Sequence, residues 1–275
     1  MSLISFINES DVKKKFAETF NLPKIELKVE LKAPPITKNY SLVGTAFDYL
    51  LRFYIKKHNP YAKTNPWIAE LALKCLKDGD LKTKLEKKLE IAKLIYKNYL
   101  TNGILTDEVI KTTLILAKID PIYRAGYIDK NFDEIDEGDI QDLRNLINLV
   151  NENSFIAKNI CLLNPTFGKA SKLVGGADAD IIIDDQIIDI KTTKFLKLKE
   201  EDLYQIIGYF ILFILGGIDG GEGINIKKIS IYFSRYGIFF PLLIPLEKNS
   251  LIKISNEKFK EFVEWFIKRA FNTFN

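Results

Sequence analysis

Cysteine and histidine are nearly absent: the 275-residue chain has two cysteines, Cys75 and Cys161, and one histidine, His58. The cysteines are far apart and lack the paired spacing of a zinc or iron–sulfur site, so they read as buried thiols in a reducing cytoplasm. One histidine excludes histidine-rich zinc catalysis, Ser-His-Asp triads and Cys-His dyads, and His58 itself reads as structural. Acid–base or metal chemistry must come from carboxylates and lysine. No apolar run reaches the ~20 residues of a membrane span, since the longest, IIGYFILFILGG, has the length of a buried core helix. The opening MSLISFINESDVKKK lacks a secretory-signal layout, so a cytoplasmic protein with no membrane partner is expected.

What is present is an ordinary globular composition, 47% hydrophobic and 28% charged with a mean hydropathy of −0.02. That length fits one elaborated domain or two small ones. A net charge of +4 is compatible with nucleic acid without pointing to it, so partners must be argued from a site.

The first half reads as helices. Ser10 is placed to cap a stretch to Phe20, Ser41 precedes GTAFDYLLRFYIKK, and Pro66 sits where a first helical turn tolerates it. Leu81 to Leu100 is amphipathic and lysine-rich, Thr106 is a good N-cap for DEVIKTTLILAK, and apolar spacing predicts a helix over Asp139 to Asn151. Beyond Ser154 the texture changes. Lys172–Val174, Ala179–Ile183 and Gln186–Thr192 are short, β-branched and bounded by Gly or Asp, which predicts strands. Leu198–Leu215 returns to helix, GGIDGGEG is a loop, and KISIYFS and IFFPLLIP are strands before a closing helix over Asn256–Phe271. From Asp139 the expected order is α-β-β-β-α-β-β-α. A mainly helical region over 1–138, packed on an α/β core over 139–275, follows from this change of texture.

The strongest chemical signal is a hairpin with its turn at Asp184 and Asp185. A two-residue turn sets Ile183 against Gln186, Asp180 against Asp189 and Asp178 against Lys191. Ala179, Ile181, Ile183, Ile188 and Ile190 then share a core face, while Asp178, Asp180, Asp189 and Lys191 share the other with Ile182 and Ile187. Opposed carboxylates repel, and Lys191 alone does not neutralise three of them, so a hard divalent ion, Mg²⁺ or Mn²⁺, suits the arrangement. The plain alternative is an exposed sheet face carrying Asp and Lys for solvation. The D-x-K spacing does not decide, because it recurs at Asp11/Lys13, Asp80/Lys82 and Glu86/Lys88. The following helix does more: Gln205 and Tyr209, four residues apart on an otherwise apolar helix, are polar groups that need partners.

At these residues the sequence resembles the PD-(D/E)XK nuclease superfamily, in particular its RecB-like branch, through GGADAD, DIK and QIIGY between Lys172 and Tyr209. SLVGTAFDYLLRF also looks like the helix that precedes a helical insertion in that branch. The four cysteines of the iron–sulfur members and the histidine that some members carry before the first strand have no counterpart. The resemblance implies a restriction-endonuclease-like core, a central mixed sheet flanked by helices, and Mg²⁺- or Mn²⁺-dependent hydrolysis of nucleic acid, DNA rather than RNA. It implies Asp180 and Asp189 as metal ligands with the Ile190 carbonyl, and Asp178 as second choice for the first ligand or an extra one. Lys191 would orient water and stabilise charge on phosphorus, with Gln205 and Tyr209 positioning the strand. Lys194, Arg124 and Arg52 are weaker phosphate candidates, since an arginine near an acid is commonly a structural ion pair. A homo-oligomer or a larger DNA-processing complex is compatible with this reading. The competing function is a nuclease-like fold without catalysis, serving as a nucleic-acid-binding or assembly module.

Overall fold

The computed structural model describes residues 2–20, 28–126, 131–243 and 254–274. Six strands form one mixed sheet in sequence order: β1 (Lys63–Thr64), β2 (Cys161–Leu163), β3 (Ile181–Ile183), β4 (Gln186–Lys191), β5 (Lys228–Phe233) and β6 (Ile238–Leu243). β2, β3 and β4 run as an antiparallel meander; β5 lies parallel to β4, β6 antiparallel to β5, and β1 parallel to β2. Parallel neighbours need a crossover, and the apolar helix between β4 and β5 supplies it.

The helices are α1 (Leu3–Ile7), α2 (Ser10–Thr19), α3 (Tyr40–His58), α4 (Ile68–Lys74), α5 (Asp80–Asn102), α6 (Asp107–Ala125), α7 (Glu137–Asn148), α8 (Gly168–Leu173), α9 (Glu200–Gly216) and α10 (Asn256–Phe274). They cover both faces of the sheet. Ile181, Ile183, Ile188 and Tyr232 pack with residues of α3 to α7. Ile182, Ile187, Ile229, Ile231 and Phe233 pack with α1, α2, α8, α9 and α10. Residues 1–138 therefore contribute to both layers, the first two helices lying with α9 and α10. The alternation of isoleucines in β3 is a division between two cores, because neither face is left to solvent.

Several elements depart from their expected form for local reasons. Lys172–Val174 is no strand: α8 ends there, and the following glycines, at φ +74° and +125°, donate to the carbonyls of Lys172 and Ser171 and stop the helix. The first strand of the meander is instead Cys161–Leu163, three wholly buried residues with no alternation to announce them. Ser10 lies inside α2, whose N-cap position is Glu9 without a side-chain bond. Pro66 precedes Trp67, the N-cap of α4, whose amide donates to Glu70 Oε2 at 2.8 Å. α6 continues through Pro121 to Ala125, and Thr106 caps it by accepting from Val109. Cys161 is buried but Cys75, at the end of α4, is exposed. His58 pairs with Glu152 at 2.8 Å. The strand expected to reach Pro245 is described to Leu243, Ile244 and Pro245 lying outside the described residues.

Two buried carboxylates on α7 tie the layers together. Asp142 takes both terminal nitrogens of Arg235 at 2.7 and 3.0 Å, each residue being 1% exposed, and Arg235 also donates to the Ala33 carbonyl. Asp139 accepts from Thr37 Oγ1 and Asn39 Nδ2. The β5–β6 turn, α7 and the lead-in to α3 thereby become one unit. Removing one partner of such a pair strands a buried charge, so Asp142→Ala should lower unfolding stability by about 3–5 kcal/mol in urea titration. Asp142→Leu combined with Arg235→Met should cost much less, and equal losses would contradict assigning the cost to the stranded charge.

Candidate active site

The hairpin has the register that a two-residue turn dictates: Ile183 pairs Gln186, Ile182 pairs Ile187 and Ile181 pairs Ile188. Asp184 takes φ +50° in the turn, and its carboxylate accepts from the amides of Lys158, Asn159 and Ile160 at 2.7 to 3.1 Å. Those three donors hold the Asp184 carboxyl below the usual carboxylate range against the opposing effect of burial. The turn is thus anchored, and with it the placement of the acids at the far end.

Asp189 is 1% exposed, which excludes the reading of this sheet face as a solvated surface. Its Oδ2 lies 2.8 Å from Lys191 Nζ in a buried ion pair. Lys191 donates to Gln205 Oε1 at 2.9 Å, and Gln205 Nε2 donates to the Tyr209 hydroxyl at 2.7 Å. The Tyr209 ring stacks on Phe167 with centroids 5.5 Å apart. The two polar residues of α9 are therefore one buried chain that fixes where the ammonium points. Asp202, one turn earlier on α9, stands 3.6 Å from Lys191 Nζ.

Asp180 Oδ2 accepts from the amide of Ile190, between Asp189 and Lys191, at 2.7 Å. Burial first, then the charges of Asp189 and Asp48, push the Asp180 carboxyl well above its usual range. Asp189 is raised by burial too, although Lys191 pulls it back. Burial disfavours the ammonium of Lys191, but Asp189, Asp202 and Asp180 outweigh it and raise its pKa, so it stays charged. Burial and then Asp180, Asp189 and Asp178 lift the Tyr209 hydroxyl well above the phenol range.

Asp178 departs from its expected position opposite Lys191: it bridges Thr166 instead. The amides of Asn164 and Ala179 donate to the carbonyls of Asp180 and Pro165, so the backbone of residues 178–180 follows the extension of β2, while the Asp180 side chain still meets the Ile190 amide of β4. There burial raises the Asp178 carboxyl while Arg124 and Arg52 oppose the rise. Arg52 is 4% exposed, pairs with Asp48 one turn back and lies over the Tyr49 ring at 4.7 Å, so it belongs to the interior. Arg124 is half-exposed, 3.9 Å from Asp120. Lys194 is exposed, past the end of β4.

Asp48 and Asp202 were not found from the sequence alone. Asp48 lies on α3, which belongs to the other layer, and its charge reaches Asp178, Asp180 and Asp189. A single acid in the apolar stretch GTAFDYLLRF, with Arg52 four residues on, was the available signal. The site forms where the two helical layers meet at the end of β4. Among the described residues no three acidic, histidine or cysteine side chains lie close enough together to hold a metal. Magnesium asks for less, being commonly held by one or two carboxylates with water completing its shell. Asp180 and Asp189 would be those two carboxylates, and a metal there would compete with Lys191, whose Nζ lies 2.8 Å from Asp189 Oδ2.

No family model, curated protein or solved structure matches the chain. No described helix is long and apolar enough to cross a membrane.

Behind the site, Tyr49 donates to Asp120 at 2.6 Å and accepts from the Ala69 amide at 3.2 Å. Burial pushes the Asp120 carboxyl up to about 6, against the Tyr49 hydrogen bond and the charges of Arg124 and Arg52. An acid that titrates higher in the folded state favours folding while protonated, so this stabilisation is present below about pH 4 and lost as pH rises to about 6. Asp120→Asn should remove a fall on the order of 2–3 kcal/mol across that window in urea unfolding. An unchanged pH slope would show that Asp120 titrates alike in both states.

Proposed function

We infer that the protein is a metal-dependent nuclease of the PD-(D/E)XK type, hydrolysing phosphodiester bonds in nucleic acid, with DNA as the substrate. One observation carries this reading: the buried Asp189 on β4 and the half-buried Asp180 just before β3, whose charges repel, with Lys191 beside Asp189 and Gln205–Tyr209 fixing its direction. The sheet order supports it, since α7, the β2–β3–β4 meander, α9 and parallel β5 agree with a restriction-endonuclease-like core. α8 is an insertion between the first two strands of that core.

In this reading Asp180 and Asp189, with the Ile190 carbonyl, hold Mg²⁺ or Mn²⁺, which supplies Lewis-acid activation of water and phosphate when bound. Lys191 acts as a fixed positive charge. Its ammonium is stabilised by Asp189, Asp202 and Asp180, so it is poorly suited to take a proton and well suited to face charge growing on phosphoryl oxygens. Gln205 holds that ammonium on one side and Asp189 on another, and Tyr209 holds Gln205. In the hydrolysis, a water oxygen bonds to phosphorus while the bond from phosphorus to the leaving sugar oxygen breaks.

The second reading is a nuclease-like module that binds or assembles without cutting. It is favoured by the absence of a three-acid metal group among the described residues and by the ion pair that already occupies Asp189. Cleavage separates the two. Labelled DNA should be cut with Mg²⁺ or Mn²⁺ and spared in excess chelator. Under saturating metal and substrate, Lys191→Ala should slow single-turnover cleavage by about 10²-fold or more, the scale of one preorganised electrostatic contact, with the circular-dichroism spectrum retained. Asp189→Asn should instead weaken metal binding. Full activity in chelator, or no cleavage under any divalent ion, contradicts the nuclease reading.

A further inference from the structure

The chain leaving β4 and the start of α3 each carry one large aromatic ring to the surface beside the site. Phe195 is 65% exposed and Tyr40, at the first position of α3, is 47% exposed. Lys194 Nζ lies 5.0 Å from the Phe195 ring centroid and 5.5 Å from that of Tyr40, so one ammonium sits between rings that come from distant parts of the chain. The rings are close to the site because α3 passes against the end of β4: a Cβ on Gly44 would stand 3.8 Å from that of Thr192.

The turn that presents Lys194 and Phe195 is held in place. Ser234 Oγ lies 2.9 Å from Thr192 Oγ1, the Tyr236 hydroxyl donates to the Lys194 carbonyl at 2.6 Å, and the Phe195 amide donates to Thr193 Oγ1 at 3.2 Å. Fixed exposed rings are not explained by packing, since this anchoring would serve equally well with a polar residue at 195. The segment that carries Phe195 has charge of one sign. From Lys191 to Lys199 the segment KTTKFLKLK holds no acid, and Lys194, Lys197 and Lys199 are all exposed.

We propose that Tyr40, Lys194 and Phe195 form a base-stacking platform that holds an unpaired nucleotide of the strand entering the site. The proposal rests on the nuclease reading for the neighbouring site, and its own support is the rings and their charge. Flat π-faces with an interleaved cation suit a polyanion whose bases are free to stack, because aromatic rings take any base while lysine meets the phosphate. A duplex offers no such face, since its bases are stacked on one another. An acidic peptide would use the lysines and leave both rings without a partner.

Binding in excess chelator tests the platform without cleavage. The probe is a short single-stranded oligodeoxynucleotide carrying one 2-aminopurine, compared with its blunt duplex, on the full-length protein. The wild type should bind the single strand more tightly and quench the 2-aminopurine. Phe195→Ala and Tyr40→Ala should each weaken binding by about tenfold and relieve the quench, within the range of one base–aromatic stack. Phe195→Trp should restore both. Lys194→Ala should reduce the slope of log affinity against log salt by about one. Unchanged affinity and quench in Phe195→Ala and Tyr40→Ala, or a wild type that binds no single strand, overturns the platform. A wild type that stacks the strand but cuts nothing with Mn²⁺ supports the platform and overturns catalysis. One that cuts yet is indifferent to both rings does the reverse.

Discussion

Asp189, buried on β4, and Asp180, half-buried just before β3, bring two carboxylates to the end of the hairpin, and their repulsion is the constraint on which the site depends. The charge of Asp189 disfavours that of Asp180, and Asp48 adds to the effect on both from α3. The hairpin keeps them together because it is bound on both faces. Ile181, Ile183 and Ile188 are buried in one layer and Ile182 and Ile187 in the other. At about 1.5–3 kcal/mol for each fully buried side chain, an upper estimate, these five outweigh a carboxylate repulsion of a few kcal/mol. The strands therefore cannot part to relieve the charge, and relief must come from protons or cations.

The cations already present are arranged unevenly. Lys191 meets Asp189 and Asp202 on the α9 side, whereas Arg52 is taken by Asp48 and Arg124 stands by Asp120. Among the described residues, Asp180 has the Ile190 amide alone as a hydrogen-bond donor to its side chain. This asymmetry makes a divalent ion the natural complement in the proposed mechanism and assigns Lys191 an electrostatic role. It also explains why α3 must be held firmly: the ties from Asp139 and Asp142 to residues 33–39 fix the lead-in to the helix that carries Asp48 and Tyr40.

The hairpin was legible because its information is local. The Asp-Asp turn, the alternation on each side and the two-residue offset of Asp189 and Lys191 lie within one short segment, and so does the four-residue spacing of Gln205 and Tyr209. β2 was not, because three uniformly buried residues have no period to read. Val174 before two glycines looked like the end of a strand, while the glycines in fact close α8 in left-handed conformations. Asp178 was placed opposite Lys191 by extending the hairpin past Asp180, and hydrogen bonds to the extension of β2 turn the chain away there. Asp48 depends on the approach of α3 to β4, a tertiary contact that spacing within one segment does not encode.

Anomalous diffraction from crystals soaked in Mn²⁺ tests the central claim most directly, because manganese takes the hard oxygen ligands offered here and reports its own position. The account predicts a peak shared by Asp180 and Asp189, within about 2–2.5 Å of a carboxylate oxygen from each, and its loss in Asp189→Asn. A fully soaked crystal with no peak between those two carboxylates, or with manganese bound only elsewhere, would contradict it.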